Sequence, residues 1–334
     1  MKKYVDMAGL STLRTLSKRA LRRMLGGMKR LAYASLLAAS PLFLLFSCGS
    51  RTGLFDDATA TRLAPDATVL PDGRVIPTID SAAADAPPFC GDASTTLVYV
   101  VTNADEVLRF DPGAATFTPI GTLACPDPQH PFSMAVDHRG IAYVLYSGGG
   151  SGSALYRVSL STARCEATSF LPRTDGFASF GMGFAADDSD AGESLYVASD
   201  DTAGGGELGR IDVGNFRLTD VGRFSPSVNR AELTGTGDGR LFAFYAKANG
   251  TSSAIAQIDK ASGLVIAEDE LPGIDQGTAW AFAFWGGDFY LFTAPQASSS
   301  IVTRFRPSDG SLTQIATYPD HIVGAGVSTC APQK

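Results

Sequence analysis

The chain has 334 residues, 45% of them hydrophobic and 18% charged, with 36 Gly, 18 Pro and a formal net charge of −7. It is long enough to bury a large core, but its glycine and proline load and its lack of sustained 3.6-residue periodicity exclude a helical bundle and favour one large all-β domain. The acidic balance repels phosphate backbones and no basic cluster stands apart in the body of the chain, so a nucleic-acid partner is not expected.

The first 47 residues differ from the rest. Nine basic residues between Lys2 and Arg30 precede an apolar run from Leu31 to Phe46, the n-region and h-region of an export signal. Met28-Lys29-Arg30 would by itself open an ordinary leader, so Met1 and Met28 are both candidate starts. The run contains Pro41 and falls short of the roughly 20 residues that a transmembrane helix needs. It ends in Leu45-Phe46-Ser47-Cys48, which resembles the lipobox of bacterial lipoproteins. That resemblance implies cleavage before Cys48, lipidation of Cys48 and membrane attachment through the lipid. Because Gly49 rather than Asp follows, it also implies the outer membrane. An uncleaved anchor and plain secretion are the alternatives. Nine of 27 basic and one of 34 acidic residues lie in residues 1–47, so the remainder carries 18 against 33, a net charge of −15.

Residues 48–89 are rich in Asp, Ala, Thr and Pro and read as a flexible tether, with room for a small hairpin around Pro71-Asp72-Gly73. The folded domain is expected over residues 90–334. There, short β-branched or aromatic runs bounded by Gly, Ser, Asp or Pro recur as strands. Residues 132–170 show the unit, with FSMAVD, IAYVLYS, ALYRVSL and CEATSF in succession. Second strands of the repeat are LVYVV (97–101), IAYVLY (141–146), SLYVAS (194–199), RLFAFY (240–245) and DFYLFT (288–293), with Tyr99, Tyr143, Tyr196, Phe242 and Tyr290 equivalent. Third strands are VLRFDP (107–112), LYRVSL (155–160), LGRIDV (208–213), IAQIDK (255–260) and VTRFRP (302–307). Five copies at roughly 45 to 53 residues predict a five-bladed β-propeller of four-stranded antiparallel blades.

Inner strands follow as FSMAVD (132–137), FGMGFA (180–185), ELTGTG (232–237), WAFAFW (280–285) and VGAGVS (323–328). Their Gly and Ala content suits a crowded axis. Since the chain enters on a second strand and leaves on a first strand, one blade must be assembled from both ends, closed by the C-terminal strand. This closure places Cys330 beside Cys90, where a disulfide would close a loop of about 240 residues and contribute on the order of 4 to 5 kcal/mol. Cys125 and Cys165 then pair by elimination. Straight, parallel outer strands would hold them roughly 20 Å apart, so either the loop TLACPDPQHP folds back or both remain free thiols.

The spacing Asp137-His138-Arg139-Gly140-Ile141-Ala142-Tyr143 is similar to the D-x-x-G-x-x-Y rhythm of NHL-type and gluconolactonase-like propellers. Over residues 95–332 the chain most resembles uncharacterised bacterial propeller lipoproteins. This resemblance implies the fold and carries over no catalytic residue.

In an up-and-down blade, the loops entering the inner strands share one face. They bring His130, Phe180, Arg230, Glu232, Trp280 and His321 to the mouth of the axis, rimmed by the polar loops 147–153, 200–207, 247–253 and 295–300. Aromatic, charged and imidazole groups converging on a concavity suit a ligand site. Glu232 with His130 or His321 would suit a metal or an acid–base pair. Asp187-Asp188-Ser189-Asp190-Ala191-Gly192 resembles part of a calcium loop but lacks the distal bidentate acid. Gly148-x-Gly150-x-Gly152 is followed by no helix and reads as a hairpin loop rather than a phosphate cradle. Ser179 lacks the strand-to-helix elbow of a serine hydrolase, and His138 reads as a surface residue. The expectation is a surface-tethered, non-enzymatic binding or scaffold module with a carbohydrate, peptide or envelope partner and no cofactor. The alternative is a metal-assisted hydrolase, lactonase or lyase at the axial mouth.

Overall fold

Each β-branched run of the repeat forms a strand, and the strands assemble into five four-stranded antiparallel sheets arranged radially. The computed structural model describes residues 68–69, 75–76, 90 and 97–334, the last span without 128, 149–151, 173–175, 189–191, 201–204, 249–251 and 296–298. The leader, Cys48 and most of the tether lie outside the described residues. Thr68–Val69 pairs with Val75–Ile76 as the expected short hairpin.

Blade 1 is His130–Val136, Ile141–Ser147, Ser153–Ser159 and Cys165–Ala167, from inner to outer strand; blade 2 is Phe180–Ala186, Glu193–Ser199, Glu207–Asp212 and Arg217–Arg223. Blade 3 is Glu232–Gly235, Leu241–Ala246, Ser252–Ile258 and Val265–Pro272; blade 4 is Trp280–Trp285, Asp288–Thr293, Ser300–Arg306 and Ser311–Tyr318. The closing blade joins the C-terminal Ile322–Val327 to Val98–Thr102, Glu106–Asp111 and Thr116–Thr122. Aromatic rings bridge neighbouring blades edge-on or tilted, as in Tyr143–Phe184 at 5.4 Å, Phe244–Phe282 at 5.5 Å and Phe110–Phe292 at 5.5 Å between centroids.

At several inner-strand glycines there is no room even for a Cβ against the neighbouring inner strand. A Cβ at Gly181 would stand 2.1 Å from the Ala231 carbonyl oxygen, and one at Gly183 2.7 Å from that of Leu233. Gly324 and Gly326 meet blade 1 in the same way, at 2.7 Å from Met134 N and Val136 Cγ2. Pairing with the second strands aligns the blades. Ala135, Gly183, Thr234, Ala283 and Gly326 each face the aromatic marker of their blade. Two residues earlier stand Ser133, Gly181, Glu232, Ala281 and Gly324. Reading the inner strands from their first residues puts blade 3 one position out, because its strand starts one residue later relative to its partner.

The Cys90–Cys330 and Cys125–Cys165 disulfides are both formed, with Cα atoms 5.4 and 5.1 Å apart. The straight-strand separation expected for the second pair fails because sheets twist. Twist accumulated over four strands swings the end of each outer strand onto the third-to-fourth-strand turn of the next blade. A Cβ at Gly121 would lie 3.1 Å from Ala163 Cβ, and one at Gly222 2.4 Å from the Ser262 carbonyl oxygen. Cys125, just past the closing blade's outer strand, thereby meets Cys165 at the start of that of blade 1.

The C-terminal residues run across the end of the axis opposite the mouth. Thr329 donates to Glu193 Oε2 of blade 2 at 2.7 Å, the Gly286 N–H of blade 4 donates to the Pro332 carbonyl at 2.8 Å, and the Thr329 carbonyl packs against Gly237 of blade 3. His138 is not a free surface group. Both its backbone N–H and its Nδ1 lie 2.7 Å from Glu193 Oε1.

Gly181→Ala is expected to destabilise the fold by at least the 1–3 kcal/mol typical of overpacking, measured by urea unfolding. Gly113→Ala, whose new Cβ would meet nothing closer than 3.4 Å, should stay within about 0.5 kcal/mol of the parent. Equal effects at the two positions would contradict the backbone-on-backbone axis.

Candidate functional site

The inner strands enter from the mouth, so their first residues converge there. Arg230, Glu232 and Trp280 line one cavity together with Pro131, Phe132 and Val323, drawing on blades 1, 3, 4 and the closing blade. Its volume is about 90 Å³, roughly three water molecules at about 30 Å³ each.

Glu232 is buried at its base. Ser133 Oγ of blade 1 donates to Glu232 Oε2 at 2.7 Å and accepts from the Met182 N–H of blade 2 at 3.1 Å. Blades 1 and 3 are not neighbours, so this bond crosses the axis. Burial pushes the Glu232 carboxyl well above the usual range, and the Asp200 charge adds to this; the bonds from Ser133 and Met182 pull the other way without cancelling it. Burial thus favours the protonated form, which can donate as well as accept.

Arg230 stands with its guanidinium 4.8 Å from the Trp280 ring centroid, a cation–π contact. Asp200 fixes it, with Arg230 Nε donating to Oδ1 at 2.9 Å while Ser179 donates to Oδ2 at 3.3 Å. Arg230 takes a left-handed backbone, φ 53°, at the turn leading into the inner strand. Trp280 Nε1 is buried without a partner among the described residues. The arrangement offers a stacked cation, a spare indole donor and a buried carboxyl around an apolar throat.

The other expected mouth residues stand apart. Phe180 is fully buried against Phe170, ring centroids 5.5 Å apart, and belongs to the core rather than to the cavity wall. His130 is exposed on the rim, paired across the strand with Ser147. His321 accepts the Asn103 N–H through its backbone carbonyl at 2.9 Å. Neither imidazole lines the cavity. Among the described residues no three His, Cys, Asp or Glu side chains gather as a metal site requires, so Glu232, His130 and His321 do not assemble one. In the acidic loop, Asp187 accepts from Ser194 at 2.8 Å and Asp188 pairs with Lys260 at 2.6 Å; residues 189–191 lie outside the described residues. Sequence reasoning missed Ser133 and Asp200, whose partners come from other blades and leave no local pattern.

No protein-family profile matches the chain, and no curated protein matches it. Among solved structures it is similar to TolB from Acinetobacter baumannii, with TM-score 0.40 and 19% identity over 69% of this chain and 54% of that one. It is similar also to a putative TolB from Agrobacterium tumefaciens, with TM-score 0.39 and 11% identity over 68% and 84%. A PQQ-bound aldose sugar dehydrogenase from Streptomyces coelicolor follows, with TM-score 0.37 and 11% identity over 65% and 77%. The chain spans about half the length of the first. The propeller assignment rests on the sheet topology, and none of these likenesses assigns a function.

Glu232 gives a pH test. Its folded-state pKa is raised, so the folded protein keeps a proton that the unfolded chain releases near pH 4.3. Its contribution to stability therefore falls as pH rises from about 4.3 toward its own pKa. Glu232→Gln is expected to flatten the pH dependence of the urea midpoint as pH rises above about 4.3; slopes equal to the parent's would show that burial does not raise this carboxyl's pKa.

Proposed function

We propose that this protein is a non-enzymatic recognition module, tethered to the outer membrane through lipidated Cys48, whose axial mouth receives one protruding group of a larger carbohydrate, peptide or envelope partner. The observation that carries this reading is the pairing of a prepared polar throat with a small volume. Arg230 stacked on Trp280 beside the buried Glu232 is a fixed set of polar groups, yet about 90 Å³ is well below the roughly 300–1,000 Å³ of sites that engulf a small molecule. A throat of that size accepts a hydroxymethyl group or the tip of a side chain. The rest of the partner then lies across the loop face. The acidic domain, the tether and the leader all suit display at an envelope surface.

Binding is tested with a glycan array and with immobilised envelope fractions. Arg230→Ala and Trp280→Ala should each weaken capture at least tenfold while the melting temperature stays within about 3 °C of the parent, and indifference to both would remove the mouth from recognition.

Lipidation is tested separately. Cys48→Ser should move the protein from the membrane to the soluble fraction; continued retention would mean an uncleaved anchor.

A further inference from the structure

In four blades the aromatic marker is a tyrosine paired across the sheet with an arginine: Tyr99 with Arg109, Tyr143 with Arg157, Tyr196 with Arg210 and Tyr290 with Arg304. Blade 3 has Phe242 with Gln257, beside a cleft of about 390 Å³ where Arg240 lies over the phenylalanine rings. The next pair on the same face of each blade is two residues closer to the end opposite the mouth. In four blades it holds one aspartate: Leu97 with Asp111, Ser194 with Asp212, Arg240 with Asp259 and Asp288 with Arg306. In blade 1 it is Ile141 with Ser159, and the acid is gone.

Blades 4 and 2 show where that acid stands relative to the arginines. In blade 4, Asp288 accepts from Arg306 Nε and Nη2 at 3.3 Å and lies 3.8 Å from Arg304 Nε. Blade 2 carries Arg210 and Arg217, with Asp212 two residues after the first and directly opposite the second. Blade 1 repeats those two arginines as Arg157 and Arg164. Ser159, whose N–H bonds the Arg164 carbonyl at 3.0 Å, takes the place of Asp212. Neither Arg157 nor Arg164 has an ion-pair partner among the described residues.

A cleft of about 550 Å³ opens at this place, lined by Ile141, Arg157, Ser159, Thr162, Arg164 and Glu166. Arg157 is held in position. Its Nη2 donates to the Val213 carbonyl of blade 2 at 3.1 Å and its guanidinium lies 5.0 Å from the Phe216 ring centroid, while its Nε is buried without a partner among the described residues. Arg164 is exposed. Glu166 is exposed too, stands opposite Arg157 in the strand register and pairs with neither guanidinium. Two permanent positive charges therefore face one negative charge, on a domain that is acidic elsewhere.

We infer that this cleft of blade 1 binds a phosphate-type oxyanion between Arg157 and Arg164, the two arginines that have lost the aspartate kept by the other blades. A tetrahedral dianion accepts from two guanidiniums at once, whereas a carboxylate is already satisfied by one fork. The volume lies within the roughly 300–1,000 Å³ of small-molecule sites, which leaves room for an organic group carrying the phosphate. The anion arrives either as the free ion or as a phosphate ester.

The test is calorimetric titration of the full chain, in a phosphate-free buffer of low ionic strength, with glycerol 1-phosphate, inorganic phosphate, acetate and glycerol. Saturable binding of glycerol 1-phosphate is expected, at least fivefold tighter than acetate, with none for glycerol. Arg164→Gln, at an exposed position, should weaken it at least tenfold while the melting temperature stays within about 3 °C of the parent. Ser159→Asp restores the acid of the other blades and should abolish binding. Arg157 is left intact because it also ties blade 1 to blade 2. Trp280→Ala, at the mouth, should leave binding unchanged, which separates this site from the one proposed there. Inorganic phosphate distinguishes the sources: affinity equal to that of the ester means the free ion, and weaker affinity means an organic phosphate. No saturable binding of either phosphate, acetate binding as tightly as glycerol 1-phosphate, or undiminished binding by Arg164→Gln or Ser159→Asp would overturn the assignment.

Discussion

The close approach of the five inner strands governs this structure. With five blades the ring is small, and adjacent inner strands come near enough that a methyl group at Gly181 would lie 2.1 Å from a neighbouring carbonyl oxygen. Glycine is required there for space rather than for backbone freedom. The same closeness lets side chains tie one blade to the backbone of the next. Ser133 accepts the Met182 N–H, and Thr234 accepts the Phe284 N–H at 3.3 Å. An inner strand's polar groups facing the axis have no further strand to pair with, and such contacts offset that loss.

Closing so small a ring demands that its seam be fixed. The closing blade takes its inner strand from the C-terminal end and its other three from the N-terminal part, and Cys90–Cys330 ties the two ends covalently. The residues after Val327 touch blades 2, 3 and 4, so the seam is held at the hub as well as at the edge. Blade twist does the corresponding work at the rim. It carries each outer-strand end to the next blade's turn, where Val265 N–H bonds the Ser225 carbonyl at 3.0 Å and where Cys125 meets Cys165. Adjacent blades are thus joined at both radii, which restrains any one of them from opening alone.

The blade count, the strand boundaries to within about three residues, the closure and the hub glycines were all legible in the chain, because each depends on period and residue size. What the sequence could not show depends on three-dimensional direction. The pairing of Cys125 with Cys165 looked strained because strand position was read without twist. Phe180 looked like a mouth residue because it begins an inner strand, but alternation turns its ring into the space between blades. His130 and His321 stand beside the inner-strand starts, yet neither lines the cavity. Arg230, Glu232 and Trp280 did converge as their positions suggested. The cross-axis partner of Glu232 was not legible, since Ser133 is 99 residues away and belongs to a non-adjacent blade.

A repeat fold also provides its own controls. Four blades show what a position needs for structure alone, so a departure in the fifth must be compensated nearby or put to use. At the hub the equivalent residues are Ser133, Gly181, Ala281 and Gly324, and in blade 3 the acid Glu232. At the marker pair they are four Tyr–Arg pairs, and in blade 3 Phe242 with Gln257. Both departures fall on one blade, one at each end of the axis. Neither is what stability alone would select: burying a carboxyl costs free energy even when it is neutral and hydrogen-bonded, and an unfilled cleft forfeits packing contacts. Compensation at Glu232 is partial, because Ser133 satisfies one oxygen while burial still drives the pKa up. At Gln257 a guanidinium is supplied from within the same blade, because Arg240 lies 5.4 Å from the Phe242 ring centroid and 5.6 Å from that of Phe284. Of the two departures on blade 3, the one left only partly compensated is therefore the buried acid at the hub, Glu232.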